Sequence, residues 1–161
     1  MPAATPSSYS ITIRLHTSPD YAVVGRIATA IAEQGGIVTA VIAADAVTDW
    51  GNPNVIRSSK GTVFSVPVAA ASADEAWAWL AEHGVEVVAT TPDTDVEHTD
   101  ADLTGAVAVA VGSEKYGLTD AALARAQHRV RIPMVGQANS LNVATSAAIV
   151  VYEAVRQRRR S

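Results

Sequence analysis

Three glycine-containing turns follow predicted parallel strands, at Gly51, Gly112 and Gly136. In an open α/β sheet the ligand crevice lies beyond the carboxyl ends of the strands. A glycine at that edge lets a ligand approach the bare backbone, which suits an adenine or a ribose that main-chain groups recognise. None of the turns has G-x-G-x-x-G or Walker spacing, so a dinucleotide or nucleoside triphosphate site is not supported. A single glycine is most often only a turn, and the prediction of a nucleoside site therefore depends on the combination.

The remaining residue types exclude several other chemistries. The chain has no cysteine, which excludes a thiolate nucleophile, a disulfide framework and a sulfur-ligated zinc site. Four histidines stand alone, without a carboxylate or histidine at ligand spacing, so we predict no metal site: His16, His83, His98 and His128. Trp77 and Trp79 lie on opposite sides of one predicted helix, so at most one of them faces the core and no base-stacking platform is evident.

Charge is distributed unevenly along the 161 residues, whose net charge is −4. Between Ser72 and Asp102 there are nine acidic residues and no lysine or arginine. From Arg125 onward there are seven arginines and one acid, Glu153. Clustered cations, rather than total charge, bind polyanions, so we expect any polyanion contact near the second region. Two interpretations, a solvated helix end and a nucleic-acid contact, stay equally open for the last four arginines: Arg156, Arg158, Arg159 and Arg160.

Length and a hydrophobic content of 48% predict one compact domain with a sizeable core. The apolar stretches are too short to cross a bilayer, and residues 1–8 lack the basic start and apolar run of a secretory signal. We therefore expect a cytoplasmic protein.

Strands and helices alternate along the chain, which predicts an α/β fold with a parallel sheet flanked by helices. The predicted strands are residues 10–15, 37–43, 62–66, 85–89, 106–111 and 130–132. Helices are expected from Ser18, from Ser72 to His83, from Thr119 to Gln127 and after residues 136–140, with a short one after Pro53. The acidic residues 92–102 have almost nothing to bury and are expected to form a surface loop.

Three stretches within about residues 43–158 resemble the SpoU/TrmH class of the SPOUT superfamily, the S-adenosylmethionine-dependent RNA 2′-O-ribose methyltransferases. The first runs from Asn52 to Gly61 and continues through Phe-Ser-Val-Pro at 64–67. The second is Ala-Val-Gly-Ser-Glu-Lys-Tyr-Gly-Leu at 110–118. The third joins Arg-Ile-Pro-Met-Val-Gly at 131–136 to Ser-Leu-Asn-Val-Ala at 140–144 and Tyr-Glu at 152–153, a spacing that chance seldom meets.

The resemblance implies a trefoil-knotted α/β fold and S-adenosylmethionine as the cofactor. Residues that would line the donor pocket, largely through backbone groups, are Gly112, Ile132, Met134, Gly136 and Leu141. Glu114 would lie near the transferring methyl group, while Ser140 and Asn142 would position the target ribose and cap the last helix. The class often carries Asn at the position of Ser113.

Residues 8–42 differ from that class and resemble the first βαβ unit of an ACT domain, of the kind that begins some bacterial malic enzymes. The class has an arginine in its first helix that helps to activate the 2′-hydroxyl. When Pro19 is aligned with the loop proline of the class, Ile27 takes that position and Arg26 lies one residue away, about 100° around the helix. We therefore predict a chimera, natural or engineered, with its junction near residues 39–44, in which a single SPOUT-like domain over 1–161 contains an ACT-like segment.

Three functions are compatible with these observations. The first is methyl transfer to a ribosomal or transfer RNA ribose, weakened because Arg26 is misaligned. The second is an inactive scaffold that binds S-adenosylmethionine, and the third, ranked lowest, is an ACT-type domain that binds a small amino acid. The resemblance also implies a homodimer through the last helix, where small residues form a surface unless they face their own sheet: Ala144, Ala147, Ala148 and Val151.

Overall fold

The computed structural model describes residues 41–45, 53–60, 64, 68–113, 116–134 and 141–160. The elements predicted within residues 10–40 and the turns at Gly51 and Gly136 lie outside these residues. The helices and strands are β1 (Val41–Ala44), α1 (Pro53–Ser58), β2 (Val68–Ala71), α2 (Ala73–Glu82), β3 (Glu86–Thr90), β4 (Val107–Ala110), α3 (Asp120–Arg125), β5 (His128–Val130) and α4 (Val143–Arg158).

The pairings between these five strands are all parallel. β1 pairs with β2, with Val41 opposite Val68. β3 lies between β4 and β5, so that the strand order is β4-β3-β5. Every residue of β1 and β4 is buried, as expected for parallel strands that are covered on both faces. The predicted parallel sheet flanked by helices is confirmed.

Helices cover both faces of the sheet formed by β3, β4 and β5. This follows from the packing of β3 and β4, whose successive residues belong to two different hydrophobic clusters. One cluster joins Val88 and Val109 to Ala147 and Val150 of α4. The other joins Val87 and Ala108 to Trp77 and Leu80 of α2 and to Ala122 of α3. The α4 side and the α2–α3 side therefore lie on opposite faces, and the carboxyl edge of the strands stays between them.

Local capping signals set the start of α2 as predicted. The Ser72 side chain accepts the Glu75 N–H at 3.2 Å, and Glu75 accepts the Ser72 N–H at 2.8 Å, which completes a capping box. Gly84, with φ of +64°, follows the end of the helix. Trp77 is 6% exposed and Trp79 44%, which confirms that only one of the two belongs to the core.

Two strands and one helix end differ from the sequence predictions. The strand expected at 62–66 is wrong at Phe64, which is 74% exposed and outside any strand. β2 instead begins at Val68, directly after Pro67, which has no N–H to donate to a sheet.

β5 begins at His128, two residues before the predicted start at Val130. Thr119 caps α3 as predicted, but the helix ends at Arg125. Two residues later, the side chain of Gln127 accepts the Val87 N–H of β3 at 2.7 Å.

The acidic residues 92–102 are hydrogen-bonded to the rest of the fold. The prediction that they bury almost nothing is wrong at the C-terminal end of this segment. Arg131 donates its N–H to Val96 and accepts the His98 N–H, both at 2.9 Å, which continues the sheet beyond β5. Ala101 is 8% exposed. Gln157 of α4 donates to the Ala101 carbonyl at 2.9 Å. These partners are 33 to 56 residues away in the chain, so no local pattern reveals them.

None of the helices among the described residues is long and apolar enough to pass through a membrane.

Candidate functional site

A cavity of about 210 Å³ opens at the carboxyl ends of β3, β4 and β5. Residues 90–92, at the end of β3 and directly after it, form one wall, and residues 111–113 together with Gly117 form a second wall after β4. Ile132 and Met134 come from the segment after β5. The beginning of α4 closes the cavity with Leu141, Val143 and Ser146. This is the edge at which open α/β sheets bind their ligands.

The cavity brings together predicted residues that are far apart in the sequence. Four of the five expected cofactor-binding residues line it: Gly112, Ile132, Met134 and Leu141. Asn142 lies next to Leu141 as the N-cap of α4 and does not line the cavity. The other predicted site residues lie outside the described part of the chain: Arg26, Glu114, Gly136 and Ser140.

Gly112 is required by the turn that follows β4. Ser113 and Gly117 exchange two backbone hydrogen bonds of 3.1 and 2.8 Å, which close this turn. A Cβ on Gly112 would lie 1.9 Å from the Gly117 carbonyl carbon and 2.1 Å from its oxygen. The space of the missing side chain is therefore filled by protein backbone. The close approach of Gly117 is a second reason for this glycine, and the approach of a ligand to its bare backbone stays a prediction.

Hydroxyl groups from β3 and from the β4 turn contribute polarity to the lining. Thr90 donates to the Ala110 carbonyl at 3.1 Å, and Thr91, 9% exposed, accepts the Asp93 N–H at 3.2 Å. Ser113 is 6% exposed and lines the same cavity. The two threonines were not among the predicted site residues, although their position at the end of a buried strand was a usable signal.

Asn142 begins α4 with its side chain. Its Oδ1 accepts the Thr145 N–H at 2.8 Å, which satisfies one of the unpaired donors of the first helical turn. The capping role predicted for Asn142 is confirmed. The cap uses one of the two lone pairs of the oxygen and leaves the side-chain NH₂ group unused, so this group is the donor that Asn142 can offer to a substrate.

The C-terminal arginines are partly used by the fold itself. Arg156 donates to both carboxylate oxygens of the buried Glu153, at 2.7 and 2.6 Å. This pairing lowers the pKa of Glu153, so its carboxylate stays ionised although it is buried. Arg158 donates to the Gly105 carbonyl at 2.6 Å. These contacts favour the helix-end interpretation for Arg156 and Arg158, while Arg159 and Arg160 are exposed.

One histidine has a carboxylate neighbour that its sequence position did not reveal. His128 Nε2 lies 2.9 Å from Glu86 Oε2, across 42 residues of chain. Within the described ranges, no three His, Asp or Glu side chains lie close enough together to hold a metal ion.

Comparison with known proteins identifies relatives over most of the chain. Residues 22–152 match the model of the SpoU rRNA Methylase family. A 23S rRNA uridine 2′-O-methyltransferase of Streptomyces viridochromogenes is 36% identical over 124 residues, which are 73% of this chain and 43% of that protein. A tRNA guanosine 2′-O-methyltransferase of Thermus thermophilus is 42% identical over 85 residues, which are 52% of this chain and 44% of that protein. The matched part of the chain thus spans less than half the length of either relative.

Solved structures agree with this assignment. A crystal structure of an RNA 2′-O ribose methyltransferase has a TM-score of 0.85 and 41% identity, and the match covers 99% of this chain and 62% of that one. The SpoU methyltransferase AviRb from Streptomyces viridochromogenes, solved with its cofactor AdoMet (S-adenosylmethionine), has a TM-score of 0.85 and 29% identity and covers 98% of this chain and 64% of that one. The parallel sheet flanked by helices is therefore the SpoU methyltransferase fold, and the chain belongs to the SpoU rRNA methylase family.

Proposed function

We propose that this chain, as a single α/β domain over residues 1–161, binds S-adenosylmethionine in the cavity at the carboxyl edge of the sheet and methylates a ribose 2′-oxygen of ribosomal or transfer RNA. The observation that carries the proposal is the convergence of Gly112, Ile132, Met134 and Leu141 on one cavity. The relatives support the substrate class, since they are methyltransferases of 23S rRNA and tRNA. The AdoMet complex of AviRb supports the cofactor.

The lining of the cavity fits a sulfonium nucleoside. Apolar side chains such as Ile132, Leu141 and Val143 form a slot suited to a planar base, and the hydroxyls of Thr91 and Ser113 add a few polar groups. No charged side chain lines the cavity among the described residues. A nucleotide phosphate would find no cation there, whereas a sulfonium cation meets no like charge.

S-adenosylmethionine, when bound, supplies an electrophilic methyl group, and the residues of the chain have to orient the acceptor hydroxyl and remove its proton. Asn142 is assigned to orientation, because its oxygen caps α4 and its NH₂ group is not basic. Proton removal is assigned to Glu114, assisted by Arg26 of a partner subunit as a cation that lowers the pKa of the hydroxyl. Ser140 is assigned to the target ribose. The roles of Glu114, Asn142 and Ser140 come from the family resemblance, whereas Arg26 is a candidate because it lies one residue from the position at which the class has its arginine.

The dimer through α4 is proposed on the outer face of this helix. Ala147 and Val151 are 0% and 5% exposed in the core of their own chain, so at these two positions the alternative holds, that the small residues face their own sheet. The outer side of α4 carries Ala148, Ile149 and Tyr152, the last of them 48% exposed. Sedimentation velocity is expected to show a dimer, and Tyr152→Glu is expected to weaken it. A monomer at micromolar concentration would contradict this proposal.

The trefoil knot is proposed because the family fold implies it. Two origins stay open for residues 8–42, a unit shared with the family and a unit derived from an ACT domain. The family match begins at Ala22, within the ACT-like segment. The match to the solved RNA 2′-O ribose methyltransferase covers 99% of the chain. Both observations favour an N-terminal unit shared with the family over a chimera with an ACT-derived unit.

Two measurements on the same preparation test the proposal. The first is calorimetric titration with S-adenosylmethionine, S-adenosylhomocysteine and free amino acids. The second is transfer of a tritiated methyl group to transcribed 23S rRNA and tRNA, with the product nucleoside identified by mass spectrometry. Donor binding together with 2′-O-methylation supports the proposal. Donor binding without transfer supports the inactive scaffold instead, binding of an amino acid alone supports the ACT alternative, and no donor binding contradicts both donor-binding functions.

A matched pair of variants locates the site. Met134→Ala removes a side chain that lines the cavity and is 37% exposed, and we expect it to weaken donor binding several-fold. Val96→Ala removes an apolar side chain that is 45% exposed outside the cavity and is expected to leave donor binding unchanged.

A further inference from the structure

Among the described residues, four hydroxyl side chains line the cavity, and three of them already form a hydrogen bond within the protein. Thr90 donates to a carbonyl of β4 at 3.1 Å. Thr91 and Ser113 accept backbone N–H groups at 3.2 and 3.0 Å. The fourth hydroxyl belongs to Ser146 of α4, and it has no hydrogen-bond partner within the described part of the chain.

This isolation is unusual for a serine inside a helix. Such a hydroxyl commonly donates to the carbonyl four residues earlier. Here the Asn142 carbonyl accepts the backbone N–H of Ser146 at 3.0 Å, and no bond joins it to the Ser146 hydroxyl. Serine is also a weaker helix former than alanine. Among the described residues, the hydroxyl of Ser146 therefore forms no bond that an alanine would lack, and it lies at a cavity that a ligand can enter.

Helix geometry indicates which part of the ligand it reaches. Ser146 follows Asn142 by four residues, so the two lie on one face of α4, separated by about 6 Å along the axis. Asn142 is assigned above to the acceptor ribose, where the methyl group is transferred. In S-adenosylmethionine the adenine base and the transferable methyl group lie on opposite sides of the donor ribose. The distance between base and methyl group is comparable to the spacing between Asn142 and Ser146.

We infer that the Ser146 hydroxyl forms a hydrogen bond with the edge of the adenine base of the bound donor and contributes to its selection over other bases. This inference rests on the proposed function. Leu141 and Val143 line the same cavity with apolar side chains, which suit a planar base. A serine hydroxyl both donates and accepts, so it pairs either with a ring nitrogen or with the exocyclic amine.

Calorimetric titration with S-adenosylhomocysteine tests the contact. Ser146→Ala is expected to bind this probe about fivefold more weakly than the parent protein, as the loss of one neutral hydrogen bond predicts. Thr145→Ala is the matched control. Thr145 is the neighbouring residue, also carries a hydroxyl and does not line the cavity, so its variant is expected to bind like the parent. Alanine is the better helix former, so thermal denaturation is expected to show that both variants are folded.

Base-modified probes then test the assignment to the adenine edge. The probes are the 1-deaza, 3-deaza and 7-deaza analogues of S-adenosylhomocysteine and the analogue in which a hydrogen atom replaces the exocyclic amine. For the analogue that lacks the contacted atom, the parent protein and Ser146→Ala are expected to bind equally, because neither forms the bond. The inference is overturned if Ser146→Ala binds S-adenosylhomocysteine as tightly as the parent, or if the fivefold difference persists with every analogue. Failure of the proposed function is distinguishable, since the parent protein and Thr145→Ala would then bind no probe at all.

Discussion

Replacing Gly112 with alanine tests the turn that forms the second wall of the cavity. The added Cβ would lie 1.9 Å from the carbonyl carbon of Gly117 and 2.1 Å from the Leu118 nitrogen. Both obstructing atoms belong to the backbone, so no side-chain rotation relieves the overlap. The turn between residues 113 and 117 therefore has to open, and its two hydrogen bonds of 3.1 and 2.8 Å are lost or lengthened.

The energetic cost follows from these contacts. Each of the two backbone hydrogen bonds contributes about 1 kcal/mol, and forcing a methyl group into filled space costs about 1–3 kcal/mol more. We expect Gly112→Ala to lower the free energy of unfolding by about 3–5 kcal/mol. For a chain of this size that corresponds to a fall in Tm of roughly 10 °C.

Urea denaturation of the purified variant measures this change, and titration with S-adenosylmethionine measures its effect on the site. Gly105→Ala is the matched control, because a Cβ at Gly105 meets no atom within 4 Å. It is expected to unfold like the parent protein. A Gly112→Ala variant with parental stability and unchanged donor affinity would refute the described geometry of the turn.

Three further substitutions have defined outcomes. Ser72→Ala removes the capping box of α2 and is expected to cost about 1 kcal/mol in urea denaturation; unchanged stability would contradict the described cap. Hydrogen bonds from Arg156 hold the pKa of Glu153 below its ordinary value of 4.5. The ionised carboxylate therefore stabilises the fold above that ordinary value, and this stabilisation is lost as the pH falls through the lower pKa of the folded state. Glu153→Gln is therefore expected to be less stable than the parent at pH 7, with the difference shrinking in acid, and an equal difference at about pH 3 and pH 7 would contradict this linkage. Asn142→Asp keeps a capping oxygen and is expected to retain parental stability, whereas Asn142→Ala loses about 1 kcal/mol. Both variants lose the NH₂ group, so both are expected to transfer methyl groups more slowly, and parental turnover in the aspartate variant would remove Asn142 from the reaction.

The sequence was most informative where the determining contacts are local. Ser72, Thr119 and Asn142 each cap a helix by accepting an N–H three residues later, so a short stretch of sequence contains the whole interaction. The apolar run at 106–111 likewise predicted β4, because a strand buried on both faces needs no alternation.

Long-range partners explain the differences from prediction. The position of β2 depends on its pairing with β1. Burial of Ala101 depends on Gln157, 56 residues later. In the sequence, both segments show only weak patterns.

The residues of the candidate site, like the elements of the fold, were predicted only in part. Resemblance supplied Gly112, Ile132, Met134 and Leu141, which the fold brings together. It did not supply Ser146, because a serine in a helix has no local signature of a ligand contact. Nor did it reveal why Gly112 is a glycine, since that depends on how closely the backbone of Gly117 approaches.

The hydrogen bonds that join residues 96–98 to Arg131 also affect how copies of the chain meet one another. β5 lies at the outer end of its sheet, and an open strand edge is a template for intermolecular strand addition and aggregation. Val96 and His98 occupy the backbone groups of Arg131 that such an addition would use. The covering segment also carries Asp93 and Asp95, whose charges repel the same segment of another copy. The acidic stretch thus protects this edge against non-native association in a crowded solution.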